Sequence, residues 1–132
     1  NVTSIGTNYY SAFRECLSLT SIILPKKVTC INKDTFLSCR SLQSVTIPEG
    51  VTSIENMSFY GCWNLININI PNSIVFIGDE AFAECKNLRK VSFPITIKRI
   101  GVSAFQNCES LKQPLFPPQI QIGKNAFKGT RK

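Results

Sequence analysis

A stacked-repeat solenoid of short parallel strands is the fold this sequence predicts, on three observations. Phe13, Phe36, Phe59, Phe82 and Phe105 recur every 23 residues, with Phe127 following one residue early. Cys16, Cys39, Cys62, Cys85 and Cys108 each stand three residues after a phenylalanine. Pro25, Pro48, Pro71, Pro94 and Pro117 each stand twelve after. Self-similarity at a fixed period of this length marks supersecondary units that stack. The repeats begin near Phe13, Phe36, Phe59, Phe82 and Phe105, with a partial one at Phe127, and form one domain over residues 1–132. One unit orders too many residues for the apolar surface it can bury, so its neighbours must complete the core.

Each element of the unit has its own signal. Ser44-Val45-Thr46-Ile47 alternates polar and apolar residues, the pattern of a half-buried strand. Pro48 has no amide hydrogen and ends that strand. Val51-Thr52-Ser53-Ile54 carries apolar residues three apart and is expected to turn the chain along the back. A corner follows, where Gly78, Gly101 and Gly123 stand in three repeats; positive φ is tolerated there. The small residues Thr35, Ser58, Ala81, Ala104 and Ala126 precede the phenylalanines and leave room for the ring to enter the interior. Stacked in register, five rungs at about 4.8 Å each make a rod about 24 Å long.

Both ends depart from the pattern. Three extra residues separate Ile5 from Phe13, which predicts a bulge that includes Tyr9 or Tyr10. Pro114 replaces the strand Val or Ile, and Pro117-Pro118 follow. Dense proline suits an edge strand, so Pro114 is expected to mark the last, weakened rung. The chain begins and ends inside a repeat without a polar capping segment, as expected of a fragment or a small array. Its open ends suit further repeats or end-to-end association of copies.

Charge and chemistry bound the function. The 132 residues carry a net charge of +7. Residues 86–132 hold ten Lys/Arg against Glu109 alone, whereas residues 1–85 hold five Lys/Arg and seven Asp/Glu. On a rod this places a basic pole at the C-terminal end, and such a pole attracts polyanions. No apolar run approaches the roughly 18 residues of a membrane span, so membrane insertion is not expected. Five of the six cysteines occupy one repeat position. A column of five cannot pair completely, so the expected state is buried free thiols acting as small hydrophobes. Cys30 lies outside the column and is the thiol expected to be accessible. With no histidine and no C-x-x-C, neither a zinc site nor an activated Ser or Cys nucleophile is expected. No phosphate-binding glycine loop is present, and the adjacent Asp79 and Glu80 do not form a convergent acid pair. The reading is therefore non-enzymatic, with no cofactor and no metal.

The order L-x-x-I-x-I-P, then V-x-x-I, then A-F-x-x-C resembles the BspA-like leucine-rich repeats. Leu65-Ile66-Asn67-Ile68-Asn69-Ile70-Pro71 through Ala81-Phe82-Ala83-Glu84-Cys85 is a close instance. The likeness extends over nearly the whole chain, in five to six 23-residue repeats. It implies a leucine-rich repeat solenoid: a right-handed α/β-type horseshoe fragment, mainly of short parallel strands on a concave face. A plain parallel β-helix is the fold alternative. Proline directly after the strand departs from the general leucine-rich pattern. Members of the family are commonly surface proteins, some of them linked to adhesion and to binding of host matrix proteins. The resemblance thus implies a protein-protein interaction module at the cell surface or secreted. The alternative is a cytoplasmic scaffold docking a regulatory partner, as unpaired thiols suit a reducing compartment.

Residues at the eighth and tenth positions after each phenylalanine should face outward from the strands. They are Ser21 and Ile23, Ser44 and Thr46, Asn67 and Asn69, Lys90 and Ser92, and Gln113 and Leu115. Ser44, Thr46, Asn67, Asn69 and Ser92 offer small hydrogen-bonding groups to a protein partner. Arg89, Lys90 and Lys112 should lie within two adjacent rungs and form the candidate site for an acidic ligand, an acidic glycan among them. Lys86, Lys98 and Arg99 should flank them on other sides of the coil. Nucleic acid is not the expected ligand, because no aromatic platform for bases accompanies the charges. Trp63, the only tryptophan, and Tyr60 stand at variable positions and form a second candidate contact, since aromatic anchors dominate many interfaces.

Overall fold

The computed structural model describes Ser4, Ile5 and residues 12–131. In chain order its strands are β1 (Ser4–Ile5), β2 (Ser21–Ile23), β3 (Cys30–Ile31), β4 (Ser44–Thr46), β5 (Ser53–Ile54), β6 (Asn67–Ile68), β7 (Phe76–Ile77), β8 (Arg99–Ile100) and β9 (Gln121–Ile122). They form two parallel sheets on different sides of a coil. A front sheet runs β2-β4-β6, and a back sheet runs β1-β3-β5-β7-β8-β9. Register follows the repeat: Ser21 pairs with Ser44 and Ser44 with Asn67, while Ser53 pairs with Phe76 and Phe76 with Arg99. At the N-terminal end Ser4 pairs with Cys30, which keeps the ladder in phase across the longer first unit. The expected bulge at Tyr9 or Tyr10 lies outside the described residues.

The back sheet corrects the sequence reading. The V-x-x-I stretch was expected only to turn the chain, yet it forms the more continuous of the two sheets. Two-residue strands are too short to show alternation, so their signal is lost beside the apolar spacing of three. The front sheet, by contrast, stops early. Lys90 contributes only an isolated bridge to Asn67, so regular pairing ends one rung before Pro114. Pro114 lacks the amide that a fifth rung would need. Phe93 replaces the aliphatic residue found in Ile47 and Ile70, and its ring packs edge-on to Phe105 at 5.8 Å.

No helix occurs among the described residues, and so none is long and apolar enough to cross a membrane. Where an α/β-type horseshoe would carry helix, each coil makes hydrogen-bonded turns. The amide of Cys39 donates to the Phe36 carbonyl at 3.1 Å, and that of Leu42 to the Cys39 carbonyl at 3.1 Å. The coil's third side is a ladder of its own. Phe36 donates to Ser58, Phe59 to Ala81, Phe82 to Ala104 and Phe105 to Ala126, each at 2.7 Å.

Two columns of left-handed residues shape this third side. One lies two residues before the phenylalanine (Asp34, Met57, Glu80, Ser103, Asn125) and one two residues after (Glu15, Ser38, Gly61, Glu84, Asn107, Gly129). They turn alternate peptide planes, so that the amides of Asp34, Phe36 and Ser38 donate to the next coil while those of Thr35 and Leu37 bond within their own. The corner glycines behave differently from the expectation. Positive φ occurs at Gly50, Gly61 and Gly129 and not at Gly78, Gly101 or Gly123. Close approach explains those three: a Cβ at Gly101 would lie 2.6 Å from the Asp79 amide nitrogen and 2.6 Å from the Gly78 carbonyl carbon.

The core is a set of vertical stripes. Phe36, Phe59, Phe82 and Phe105 are fully buried, with successive ring centroids 5.0 Å apart and interplanar angles of 3–13°. Phe13 and Phe127 extend the stack at its ends at 5.3 and 5.2 Å. The preceding small residues are buried, and the hydroxyls among them are satisfied: Thr35 donates to the Asn32 carbonyl at 2.7 Å and Ser58 to its neighbouring turn carbonyls.

All six cysteines are free, four of them buried. They do more than fill space. The thiols of Cys39, Cys62, Cys85 and Cys108 donate to the carbonyls of Phe13, Phe36, Phe59 and Phe82 at 2.9–3.1 Å. Each thiol thus ties its coil to the one before it. Burial pushes the Cys39 thiol up to about 11, and raises those of Cys62 and Cys85 as well.

Candidate partner-binding face

Alternation along the front strands sets the face. In β4 the pattern is exposed Ser44, buried Val45, exposed Thr46, because successive side chains leave opposite sides of a strand. The same holds up and down the stack. Ser21, Ser44, Asn67, Lys90 and Gln113 form one exposed column, and Ile23, Thr46, Asn69, Ser92 and Leu115 form another. All ten outward positions therefore lie where the repeat register places them. The middle of the face is polar and uncharged. At each end the face carries one strongly exposed apolar residue, Ile23 at 80% and Leu115 at 93%.

Two open grooves cross this face. The first, about 420 Å³, lies between the third and fourth rungs and is lined by Asn67, Asn69, Lys90 and Ser92 among others. The second, about 560 Å³, lies between the fourth and fifth rungs, beyond the last regular front strand, and is lined by Arg89, Lys90, Ser92 and Phe93 of one coil and Lys112, Pro114 and Leu115 of the next, among others. The structure thus brings Arg89, Lys90, Ser92 and Lys112 together and sets Asn67 and Asn69 beside them. The amide of Lys112 donates to the Arg89 carbonyl at 3.3 Å, so their columns are in direct register. Ser44 and Thr46 continue the face on β4 and line neither groove.

Electrostatically the second groove is one-sided. No carboxylate lines it. Among the described residues, ion pairs join Arg14 to Glu15 and to Asp34 at the far end of the molecule, and none engages a cation of the basic half. Sequence reasoning missed that the backbone of Arg131 bridges to that of Lys112, although Arg131 is not among the residues lining the groove. The apolar contribution of Phe93, Pro114 and Leu115 was also missed, although Leu115 had been placed as outward by alternation.

Tyr60 and Trp63 sit apart from this face, in the turns that follow Phe59. Trp63 is 41% exposed, and the Arg40 guanidinium of the preceding coil lies 4.1 Å from its ring centroid. That cation–π contact covers the indole from one side. Tyr60 is half-buried, and its carbonyl accepts the Ser38 amide at 2.7 Å. Lys98 and Arg99 line a third groove, on the back-sheet side, with Thr96 and Gln121.

Cys30 is half-buried, and so is Cys16, which makes two accessible thiols where one was expected. Ser53 Oγ donates to the Cys30 sulfur at 3.2 Å, and the thiol reaches Asn32 Oδ1 at 3.1 Å. Burial, with a smaller contribution from Glu55, raises the Cys30 thiol above its ordinary value, against the opposing Ser53 bond. Asp79 serves the backbone: its Oδ1 accepts the Val102 amide at 2.8 Å.

Comparison with known proteins places this geometry. The family model for the BspA type leucine rich repeat region matches residues 3–132 in six copies. A leucine-rich repeat protein from Bacteroides ovatus ATCC 8483 is 34% identical, with a TM-score of 0.90; the match covers 98% of this chain and 33% of that one. The leucine-rich repeat protein of T. pallidum is 28% identical, with a TM-score of 0.83, over 94% of this chain and 63% of that one. The chain therefore spans one third of the first structure and under two thirds of the second. No curated protein matches it.

Proposed function

The chain belongs to the BspA-type leucine-rich repeat family, and from that premise we propose that it is a non-enzymatic protein-binding module of a surface protein that acts in adhesion. The observation that carries this reading is the outward face of the front sheet, where ten side chains stand exposed in register and two grooves cross the middle and basic end. Asn67, Asn69 and Ser92 supply hydrogen-bonding groups, Ser44 and Thr46 extend the surface, and Arg89, Lys90 and Lys112 supply charge. Trp63 and Tyr60 form a separate, smaller contact. A host matrix protein is the proposed partner, with the chain at the cell surface or secreted.

The test is capture of purified matrix proteins on the immobilised chain, in parallel with Asn67→Glu/Asn69→Glu and Trp63→Ala variants. The reading predicts matrix-protein binding that the double variant abolishes and that Trp63→Ala leaves largely intact. Binding indifferent to the double variant would remove the front face from the account. A second reading, an intracellular scaffold, is favoured by the column of unpaired thiols. Because Cys39, Cys62, Cys85 and Cys108 are buried, labelling of those four does not report location. Protease accessibility of the chain on intact cells does, and full protection would sink the adhesion reading. Two narrower proposals concern the basic pole and the association of copies. An acidic glycan at the basic pole predicts binding that weakens steeply with salt. End-to-end association of copies predicts mass that rises with concentration in sedimentation.

A further inference from the structure

We infer that the groove between the fourth and fifth front rungs takes an extended protein segment in which carboxylates flank a bulky apolar side chain. The inference rests on the front-face reading above and names the chemistry of the segment bound there. Its first support is charge. Arg89, Lys90 and Lys112 rim the groove, and no carboxylate lies among the lining residues. Cations this close together, lacking an acidic neighbour, raise the local concentration of an anionic partner and set its register.

The second support is apolar. Leu115 is 93% exposed at a strand position held by Thr46, Asn69 and Ser92 in the three preceding rungs. Beside it Phe93 and Pro114 complete a shelf. An apolar side chain laid on this shelf removes water from Leu115, and a sulfated glycan has no such side chain to offer. Nucleic acid is a poorer fit for a different reason. The Phe93 ring already packs edge-on to Phe105 at 5.8 Å and stacks on Phe116 at 5.9 Å, so it offers no free platform for a base.

The third support is the backbone. Front-sheet pairing has thinned here: Lys112 still bonds to the Arg89 carbonyl, but Val91, Ser92 and Phe93 and the facing Gln113, Pro114 and Leu115 belong to no front strand. Their peptide groups edge an open groove of about 560 Å³, and an extended segment meets such groups with its own. The adjoining groove carries Asn67 and Asn69. Two rung spacings cover about 10 Å, the length of about three extended residues.

The experiment is a fluorescence-anisotropy titration of the whole chain against a dye-labelled peptide with Glu-Leu-Glu at its centre in a Gly/Ser context. Companion probes replace both Glu by Gln, replace Leu by Ser, or substitute a sulfated glycan oligomer. The protein variants are Leu115→Ser and Arg89→Glu/Lys112→Glu, all exposed positions, with circular dichroism to verify the fold. The expected result is binding of the Glu-Leu-Glu peptide, weakened about fivefold by Leu115→Ser and about tenfold or more by the charge reversal. It should also weaken between about 50 mM and about 500 mM salt. Equal binding of the Gln-substituted peptide overturns the inference. So does a glycan oligomer that binds more tightly than the peptide and ignores Leu115→Ser. If the peptide does not bind while Asn67→Glu/Asn69→Glu still abolishes matrix-protein capture, the acidic-segment inference falls and the front-face reading stands. If that capture is also indifferent to the double variant, both fall.

Discussion

Phe82 touches a parallel ring on each side, 5.0 Å from Phe59 and 5.0 Å from Phe105. Removing it interrupts the stack at its centre, whereas Phe127 has a stacked neighbour within the described residues on one side only. Phe82→Ala should therefore cost about 3–5 kcal/mol, and Phe127→Ala clearly less, as read from urea unfolding. Equal costs would mean that the rings act independently of their position in the stack. The thiols make a second residue-level prediction. A soluble disulfide reagent should label Cys16 and Cys30 in the native protein and reach Cys39, Cys62, Cys85 and Cys108 only as it unfolds, because those four are buried. Labelling should rise with denaturant in step with loss of structure. Fast native labelling of all six would contradict the buried column.

At the scale of the element, the turns and corners decide whether coils can stack. Two glycines serve this for different reasons, and a single substitution type separates them. Gly101→Ala places a Cβ 2.6 Å from two backbone atoms of the preceding coil, which cannot move without opening the corner. Gly61→Ala meets only the Ser38 side chain at 3.3 Å but holds φ at +71°. The first should cost about 3 kcal/mol and the second about 1–2 kcal/mol, the ordinary cost of a left-handed alanine. Paired denaturation curves check the order, and a reversed order would mean that backbone conformation outweighs close approach. The neighbouring left-handed residues Ser38 and Glu84 show that the column tolerates side chains.

Across the whole molecule, the buried thiols couple stability to alkaline pH. Their folded values lie above the unfolded value of 9.0, so above pH 9 the unfolded chain loses protons that the native state keeps. Stability from this source is fully present below about pH 9 and falls as pH rises. For Cys39 the fall runs to about 11, a loss of at most about 2–3 kcal/mol before screening by solvent; Cys62 and Cys85, also raised by burial, add to it. Urea midpoints measured at neutral pH and near pH 10.5 should show the drop, and a Cys39→Ala background should show less of it. A flat profile would mean that the thiols ionise without unfolding cost. The other whole-molecule property is polarity of charge. One end carries Arg14 paired with Asp34, and the other carries cations with no carboxylate partner among the described residues. That asymmetry sets the charge of the proposed acidic segment.

The period of 23 by itself determined which side chains are core, which face outward and which stand above one another. Stacking in register leaves no freedom in those assignments once the unit is known. Val45, Ile68 and Val91 are buried, and Ser44, Asn67 and Lys90 are exposed, as alternation requires. The cluster of Arg89, Lys90 and Lys112 followed from the same register. Only the tertiary structure decided what depends on contacts between coils. It showed the back sheet, whose strands are too short to read, and the crowding that demands glycine at Gly101. It also showed the thiol bonds to the phenylalanine carbonyls and the groove that opens beyond the last regular front strand. A repeat encodes the one-dimensional order of its residues, whereas hydrogen bonds and clearances between neighbouring coils arise only when the copies are laid against each other in space.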